Sequence, residues 1–310
     1  MTNETMVTEF ILKGFSDVPE LRLISTIFFL FIYLFALLGN ISIIAAVSRD
    51  SRLHIPMYFF LKNLSFLDMC YTTVIVPKAL INSLMGSEVI SFWECVAQLF
   101  LFVTLCASEC FLLTSMAYDR CLAIYKPLLY GVIMSRKLCT ELVMVAWLSG
   151  AFYAIFHTIN TFSLQFCGPN VIDHFFCDML VLSCSSTYVA EMLILVEGGI
   201  LGISSFLVTF ISYFYIVSAI LKIQSTGGKH KAFSTCASHL LVVCLFGGTT
   251  VFTYVRPYSS QHFPARDRLI SMLYGIITPM LNPMIYSLRN TEVKGALRRV
   301  LCHRVYSLQV

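Results

Sequence analysis

Long apolar segments separated by short polar connections run along most of this chain. Seven of them are long enough to cross the hydrocarbon core of a bilayer, which takes roughly 20 helical residues. They cover residues 23–47, 57–80, 96–120, 140–161, 193–221, 232–255 and 269–288. Because the connections are too short for a second globular domain, the pattern predicts a single all-α membrane domain over 1–310. A segment 1–22 precedes the helix bundle 23–288, and a tail 289–310 follows it.

The composition agrees with a membrane protein and indicates its orientation. The 310 residues are 58% hydrophobic and 12% charged, with a mean hydropathy of +0.80. Fifteen of the 21 Lys and Arg residues fall on the side of the membrane that carries the C-terminus. Since Lys and Arg concentrate in cytoplasmic loops, we expect a cytoplasmic C-terminus and an extracellular N-terminus, with the first span as signal anchor. The net charge of +4 then reflects topology, and nucleic acid is not an expected partner.

Several polar side chains fall inside the predicted spans, where each needs a partner. Asn40 in the first span needs a hydrogen bond to a neighbouring helix. Asp68 and Glu109 lie near mid-membrane, where two ionised carboxylates are costly without compensation. Two interpretations stay open: the two acids bind a sodium ion, or they are protonated, hydrogen-bonded groups that tune helix packing. In the fifth span, Glu197 is either a ligand contact or a partner of another helix.

The segment MAYDR, residues 116–120, places an acid and a cation at the inner end of the third span. By itself such a pair is either a stop-transfer signal or a functional switch. A plain stop-transfer pair does not require polar residues and a bend on other helices, so their presence favours a switch. These residues are Asp68, Glu109, Tyr213, His239, Asn282 and Pro283. The seventh span also holds Pro279, and two prolines four residues apart must bend it locally.

Four cysteines are predicted outside the membrane, in the oxidising compartment where disulfides form. They are Cys95, Cys167, Cys177 and Cys184. Four cysteines allow three connectivities, among which the sequence alone does not choose. Three of them lie in the longest loop, residues 162–192, which we expect to form a lid. Asn3 begins a sequon on the outer side and is a predicted glycosylation site.

The sequence carries no pattern that is typical of an enzyme. We find no metal-spaced cluster of Cys and His, no phosphate-binding glycine loop, and no Ser, His and Asp set placed for catalysis. We therefore expect no cofactor apart from the candidate sodium ion. The tail residues 292–303 are basic, amphipathic and too short to span, so they predict a helix lying on the lipids of the inner leaflet.

Seven spans, an extracellular N-terminus, Asp119-Arg120 and Asn282-Pro283 together resemble a rhodopsin-like G-protein-coupled receptor. Longer segments are similar to the signature sequences of odorant receptors, in the same order and on the same helices. They are PMYFFL at 56–61, MAYDR at 116–120, KAFSTCASH at 231–239 and PMLNPMIYSLRN at 279–290. The segment HFFCD at 174–178 resembles the tetrapod-type (class II) branch. The resemblance covers nearly the whole chain.

The resemblance implies a receptor for a volatile odorant in the plasma membrane of sensory cilia. It implies coupling to the stimulatory olfactory G protein and hence to adenylyl cyclase, with receptor-transporting chaperones as further partners. It also implies the disulfides Cys95–Cys177 and Cys167–Cys184, and a sodium site at Asp68 and Glu109. The residues that match the family's inner switch are Asp119, Arg120, Tyr213, His239, Asn282, Pro283 and Tyr286. In the inactive state, Arg120 is expected to be held by Asp119 and by neighbours on the sixth helix.

The resemblance places the ligand pocket between the third, fifth, sixth and seventh helices. The matching residues are Phe102, Val103, Cys106, Ala107, Glu197, Leu201, Gly247, Thr250, Val251, Tyr254, Met272 and Gly275. Helical spacing supports the grouping, because residues three and four apart share a face. The lining is mostly apolar, which is usual for a small-molecule site. Phe102 stands where the related amine receptors carry an acid, so the predicted ligand is a small, mostly hydrophobic odorant.

Three departures and two alternatives accompany this interpretation. Cys121 and Tyr125 replace the more usual aromatic and Cys, and Leu129 replaces a His in a loop that touches the G protein. The segment between Cys177 and Cys184 is also shorter than usual. A rhodopsin-like receptor for a lipid or a peptide is the nearer alternative, although a peptide calls for a more open outer face. A transporter is the farther one, and would show broken helices in corresponding halves.

Overall fold

Helices account for most of the described residues in the computed structural model, which describes residues 8–13, 19–163, 170–172, 176–177, 188–254, 276–289 and 292–299. The helices are α1 Pro19–Arg49, α2 Pro56–Met85, α3 Phe92–Tyr125, α4 Pro127–Ile133, α5 Arg136–Phe162, α6 Tyr188–Lys222, α7 Thr226–Tyr254, α8 Thr278–Arg289 and α9 at 292–299. A short 3-10 helix, Ser51–Leu53, follows α1. Three strands, β1 Glu9–Leu12, β2 Val89–Ser91 and β3 Val171–Ile172, lie at the outer side.

The prediction of an all-α membrane protein is confirmed. Among the described residues, five helices are long and apolar enough to cross a membrane: α1, α2, α3, α5 and the part of α6 from Gly198 to Lys222. Helix α7 contains a shorter apolar stretch, Cys236–Thr249. The seventh predicted span, 269–288, is described from residue 276 and is helical from there.

The helices begin and end where their sequences satisfy the free backbone groups at their ends. Helix α2 begins with Pro56, whose missing N–H costs nothing at a first helical position, and stops at Gly86, which adopts a left-handed φ of 64°. Helix α3 begins with a capping box. The Ser91 hydroxyl accepts a hydrogen bond from the Glu94 N–H at 3.3 Å, and the Glu94 carboxylate accepts one from the Ser91 N–H at 3.1 Å.

Most helices extend several residues beyond the predicted spans. Helix α1 begins at Pro19, within the segment 1–22 that was assigned to the N-terminus, and α2 continues to Met85 instead of residue 80. The physical reason is that apolar runs report the length of the hydrocarbon core, whereas backbone hydrogen bonds continue through the polar interface. The short helix α4 and all three strands were not predicted.

Helix α3 forms the centre of the bundle, and α1 and α6 form part of its lipid-facing surface. Residues on every side of α3 are buried, from Cys95 at its outer end to Arg120 at its inner end. Helices α1 and α6, by contrast, expose large apolar side chains such as Phe31 and Phe206. Exposed apolar side chains of this size are expected where the surrounding solvent is lipid.

Helices α3 and α5 approach each other so closely at Gly150 that no side chain fits there. A Cβ atom at residue 150 would lie 2.6 Å from the Thr104 carbonyl oxygen and 3.0 Å from the Ser108 backbone nitrogen, and it would overlap the Ser108 hydroxyl. Two of these atoms belong to the backbone and cannot move aside. Small residues at such crossings are what allow membrane helices to pack tightly.

We therefore predict that Gly150→Ala lowers the free energy of unfolding by about 1–3 kcal/mol, because it forces α3 and α5 apart. The measurement is the thermal unfolding midpoint of the detergent-solubilised chain. Gly202→Ala in α6 is the matched control, because nothing lies within 4 Å of a Cβ at that position. Equal midpoints for the two variants would contradict the prediction.

Candidate functional site

His239 joins three helices at the inner half of the bundle. Its Nδ1 lies 2.8 Å from the Tyr213 hydroxyl on α6, and its Nε2 lies 3.1 Å from the Leu113 carbonyl oxygen on α3. A carbonyl oxygen only accepts, so Nε2 carries the proton that this bond requires. The imidazole ring also stacks on the Tyr213 ring, with an interplanar angle of 4°. The sequence-based grouping of Tyr213 and His239 is therefore seen as a direct contact between α6 and α7.

The charge of Arg120 acts on the same group of side chains. Arg120 is buried at the inner end of α3, and its electrostatic effect reaches Tyr213, His239 and Tyr286. Its Nε atom has no hydrogen-bond partner within the part of the chain that the structure describes. Three helices thus place polar side chains around one buried cation.

Asp119 lies close enough to Arg120 for their charges to interact, and it also has a hydrogen-bond partner that was not predicted. Its Oδ1 accepts a hydrogen bond of 2.8 Å from the hydroxyl of Tyr130, which lies on α4. Burial, followed by the negative charge of Asp119, raises the pKa of the Tyr130 phenol, so this group remains a hydrogen donor. The bond ties the inner connection between α3 and α5 to the end of α3. Because α4 was not predicted, no pattern in the sequence pointed to Tyr130.

Asn282 connects α8 to the two acids in the middle of the bundle. Its Nδ2 lies 3.1 and 3.0 Å from the two carboxylate oxygens of Asp68, and it is the hydrogen-bonding side chain next to Glu109 as well. Both acids are buried and close enough to interact electrostatically. Two buried polar oxygens, Glu109 Oε1 and Asn282 Oδ1, have no hydrogen-bond partner among the described residues.

Helix α8 is also bonded to α1 through Asn40, which was predicted to need a hydrogen bond to a neighbouring helix. The Asn40 Nδ2 donates to the Pro279 carbonyl oxygen at 3.2 Å and to the Ala36 carbonyl oxygen at 3.0 Å. A proline four residues later removes the N–H that would otherwise approach the carbonyl of residue 279, which leaves that oxygen available. Pro283 itself packs on Gly39, where a Cβ would lie 3.0 Å from the Pro283 Cγ.

An aromatic stack fills the outer half of the bundle next to α3. Phe102 on α3 lies between Tyr71 of α2, at a ring-centroid distance of 5.2 Å, and Phe176 of the long loop, at 5.0 Å. Phe102 is only 3% exposed. Neither Tyr71 nor Phe176 is among the residues predicted for the pocket. The signal for Phe176 was its place directly before Cys177.

The remaining pocket residues divide between described and undescribed positions. On α3, Val103 and Ala107 are buried and Cys106 is partly exposed. Leu201 on α6 and Gly247 on α7 are partly buried. The side chains of Glu197, Thr250, Val251 and Tyr254 belong to helices but lie outside the described part, and Met272 and Gly275 lie outside the described residues altogether.

One of the two implied disulfides joins the long loop to α3. Cys95 and Cys177 are bonded, with their Cα atoms 5.5 Å apart. Gln98 adds a second attachment one turn further along α3, because its Oε1 accepts a 3.0 Å hydrogen bond from the Cys177 N–H. Gln98 Nε2 in turn donates to the Val74 carbonyl oxygen of α2. The pairing Cys167–Cys184 and the glycosylation site Asn3 lie outside the described residues.

At the inner surface, an ion pair fixes α9 to the connection after α1. Arg299 donates to Asp50 Oδ2 from Nε at 3.0 Å and from Nη2 at 2.5 Å. These bonds, together with the Arg52 N–H that also donates to this carboxylate, hold the pKa of Asp50 below its usual value. Val293 and Ala296, which belong to α9 itself, are buried. The predicted amphipathic helix in the tail therefore packs against the bundle along one face.

Comparisons with known proteins place this arrangement in one family. The family model described as "Olfactory receptor" matches residues 29–304. The chain is 50% identical to olfactory receptor 8U9 of Mus musculus over 305 residues, which cover 97% of each protein. It is 49% identical to olfactory receptor 5A1 of Homo sapiens over 302 residues, which cover 96% of each. It is 47% identical to olfactory receptor 5T7 of Mus musculus over 308 residues, 98% of this chain and 99% of that receptor.

We predict that Tyr213→Phe weakens the contact between α6 and α7 by about 1 kcal/mol, the usual net value of one buried hydrogen bond. The phenol hydroxyl lies within hydrogen-bond distance of two acceptors, His239 Nδ1 and the Cys236 carbonyl oxygen, which share its single hydrogen. The measurement is the thermal unfolding midpoint together with the maximal response to agonist. Tyr215→Phe is the control, because Tyr215 is an exposed neighbour on the same helix. The same loss in both variants would refute the assignment.

Proposed function

This chain belongs to the olfactory receptor family, and we propose that it binds a small, mostly hydrophobic odorant within the helix bundle and raises cyclic AMP through the stimulatory olfactory G protein. It is an odorant-sensing G-protein-coupled receptor and not an enzyme. It is a multi-pass membrane protein. We place it in the plasma membrane of sensory cilia, where receptor-transporting chaperones would deliver it and where α9 would rest on lipids of the inner leaflet.

The observation that carries this proposal is the contact of His239 with Tyr213 and with the Leu113 carbonyl oxygen. These two bonds join α3, α6 and α7 beside the buried charge of Arg120. An outward movement of α7 must break the bond to Leu113, which would open a space next to Arg120. We propose that these hydrogen bonds of His239 hold α7 in its inward position until the receptor is activated.

The proposed pocket lies in the outer half of the same helices. Phe102, Val103 and Ala107 present an apolar face of α3, and Phe176 covers it from the loop. An apolar lining with few polar groups favours a hydrophobic ligand of small size. Glu197, Thr250 and Tyr254 are the proposed polar contacts, and each would bond one oxygen or nitrogen of the odorant.

Helix α4 provides the apolar surface that we assign to the G protein. Leu128 is 95% exposed and Val132 is 77% exposed, on a helix at the cytoplasmic side. Side chains this apolar and this exposed to water are typical of an interaction surface. The bond from Tyr130 to Asp119 holds the same helix against the end of α3. Arg120 and the docking surface are thereby kept in one arrangement.

We predict that an odorant panel includes a compound that raises cyclic AMP in cells expressing this chain, and that Leu128→Asp reduces the maximal response on the order of tenfold by placing a charge in an apolar contact. Surface amounts are measured in parallel with an N-terminal tag. Gly131→Ser on the same helix is the control, because residue 131 is exposed and has open space around its Cβ. A response of Leu128→Asp equal to wild type would remove α4 from the coupling surface.

We further propose that Asp68 and Glu109 bind a sodium ion. The residues fit this ion because two buried carboxylates lie close enough to interact electrostatically, and two oxygens of this group, Glu109 Oε1 and Asn282 Oδ1, have no hydrogen-bond partner in the described structure. A bound sodium ion would supply one positive charge against the two acids. The protein's own contribution is to hold Asp68 through Asn282, so that α2 and α8 keep a fixed distance.

We predict that Glu109→Gln removes the dependence of odorant potency on extracellular sodium, because one of the two ligand charges is lost. The measurement is the odorant EC50 for cyclic AMP at high sodium and with sodium replaced by an organic cation. Glu141→Gln is the control, because Glu141 is exposed at the inner end of α5 and pairs only with Lys137 among the described residues. An unchanged sodium effect in Glu109→Gln would refute the site.

A further inference from the structure

The strand β1, Glu9–Leu12, crosses the outer face of the bundle as a strap between two loops. It lies in the middle of the sheet, with β2 on one side and β3 on the other. Strand β2 belongs to the connection between α2 and α3, and β3 belongs to the long loop between α5 and α6. Neither loop strand pairs with the other, so the strap is what joins them into one sheet.

Backbone hydrogen bonds attach the strap to both loops. On the β3 side, the Ile11 N–H donates to the Asn170 carbonyl oxygen at 2.7 Å and the Lys13 N–H to the Ile172 carbonyl oxygen at 2.9 Å. On the β2 side, the Leu12 N–H donates to the Glu88 carbonyl oxygen at 2.7 Å. Strands of two and three residues are too short to be stable by themselves, so each depends on this pairing.

The side chains of the strap alternate between water and a small core. Glu9 and Ile11 are exposed, whereas Phe10 and Leu12 are 0% and 3% exposed. The two inward side chains belong to a cluster around the outer disulfide, which is separate from the core of the bundle. Its members are Phe10, Leu12, Ile90, Cys95, Ile172 and Cys177. Phe92 packs on Phe10 with ring centroids 6.2 Å apart.

This cluster lies one residue away from the proposed ligand pocket. Cys177 belongs to the cluster, and its neighbour Phe176 stacks on Phe102 of α3. Two further attachments hold the backbone here, namely the bond to Cys95 and the hydrogen bond to Gln98. They anchor residue 177 to α3, and Phe10 belongs to the same buried cluster as Cys177. The packing of this cluster, to which Phe10 contributes a buried ring, therefore affects the position of the neighbouring Phe176 ring.

We propose that Phe10 is a positioning residue for odorant recognition: the strap stays paired while ligand is bound and keeps Phe176 seated on Phe102. This inference rests on the proposed function, since it assumes that the odorant lies under Phe176. The strap acts as a fixed part of the receptor and not as a gate. It thus assigns part of ligand selectivity to a segment of the chain that precedes the first span.

Phe10→Ala tests the positioning role through odorant potency. Loss of the ring leaves a void in the cluster that contains Cys177, so we expect EC50 to rise about tenfold, with a larger change for bulky odorants than for small ones. Ile11→Ala is the matched control, because Ile11 is the adjacent residue of the same strand and is 41% exposed. Phe10→Leu refills most of the void and is expected to restore potency to within about threefold of wild type.

A disulfide across the strap tests whether it must open. Ile11 and Val89 are paired in register on β1 and β2, and both side chains are exposed. They form a non-hydrogen-bonded antiparallel pair, in which side chains approach most closely. We expect that Ile11→Cys with Val89→Cys cross-links spontaneously, seen as the loss of two accessible thiols, and that its odorant EC50 equals that of each single variant.

The outcomes separate this inference from the proposed function. A wild-type chain that reaches the surface and answers no odorant would count against the proposed function, while the cross-link would still report whether the strap is paired. A responsive wild type with equal EC50 values for Phe10→Ala and Ile11→Ala would overturn the positioning role alone. A cross-linked variant that is silent at normal surface amounts would show that the strap is a gate, which would also overturn it.

Discussion

Each polar side chain inside this bundle needs a partner within the protein, because the surrounding hydrocarbon offers none. That requirement decides how the helices are joined. Asn40 links α1 to the Pro279 carbonyl of α8, Asn282 links α8 to Asp68 of α2, and His239 links α7 to α3 and α6. Apolar side chains do less to specify which helices are neighbours, since a leucine is nearly as well solvated by lipid as by another helix. The polar bonds are thus the contacts that specify one arrangement of the bundle.

Helix α3 connects the two ends of the receptor. Its outer end is bonded to the long loop through Cys95 and Gln98, and its inner end carries Arg120. Phe102 and Arg120 are 18 residues apart, which corresponds to about 27 Å along a helix. Between them lie Glu109 and the Leu113 carbonyl oxygen, where the other helices are attached. Under the proposed function, an odorant that changes the packing near Phe102 acts on the helix whose inner end is proposed to face the G protein.

Sequence reasoning succeeded where a single residue pattern carries the physics. Apolar runs located the five helices that are long and apolar enough to cross a membrane in the described part of the chain. The need of Asn40 for an interhelical partner was met by the Pro279 carbonyl oxygen. Sequence reasoning did not predict the strap β1, because a strand of four residues is stable only through partners about 80 and 160 positions further along the chain. Residue 130 was missed for a related reason. Its hydroxyl matters only because the short helix α4, which was not predicted, brings it to Asp119.

Hydrophobicity along the chain by itself determined the class of protein, a multi-pass membrane protein, since this depends on transfer of each segment between water and lipid. The positions of Lys and Arg predict its orientation. The signature segments determined the family. Only the tertiary structure decided that Asp119 bonds Tyr130, that Phe176 covers Phe102, and that the first strand completes the core around the outer disulfide. These contacts join residues that are distant in the chain, and their energies depend on distances of a few ångströms that no local pattern encodes.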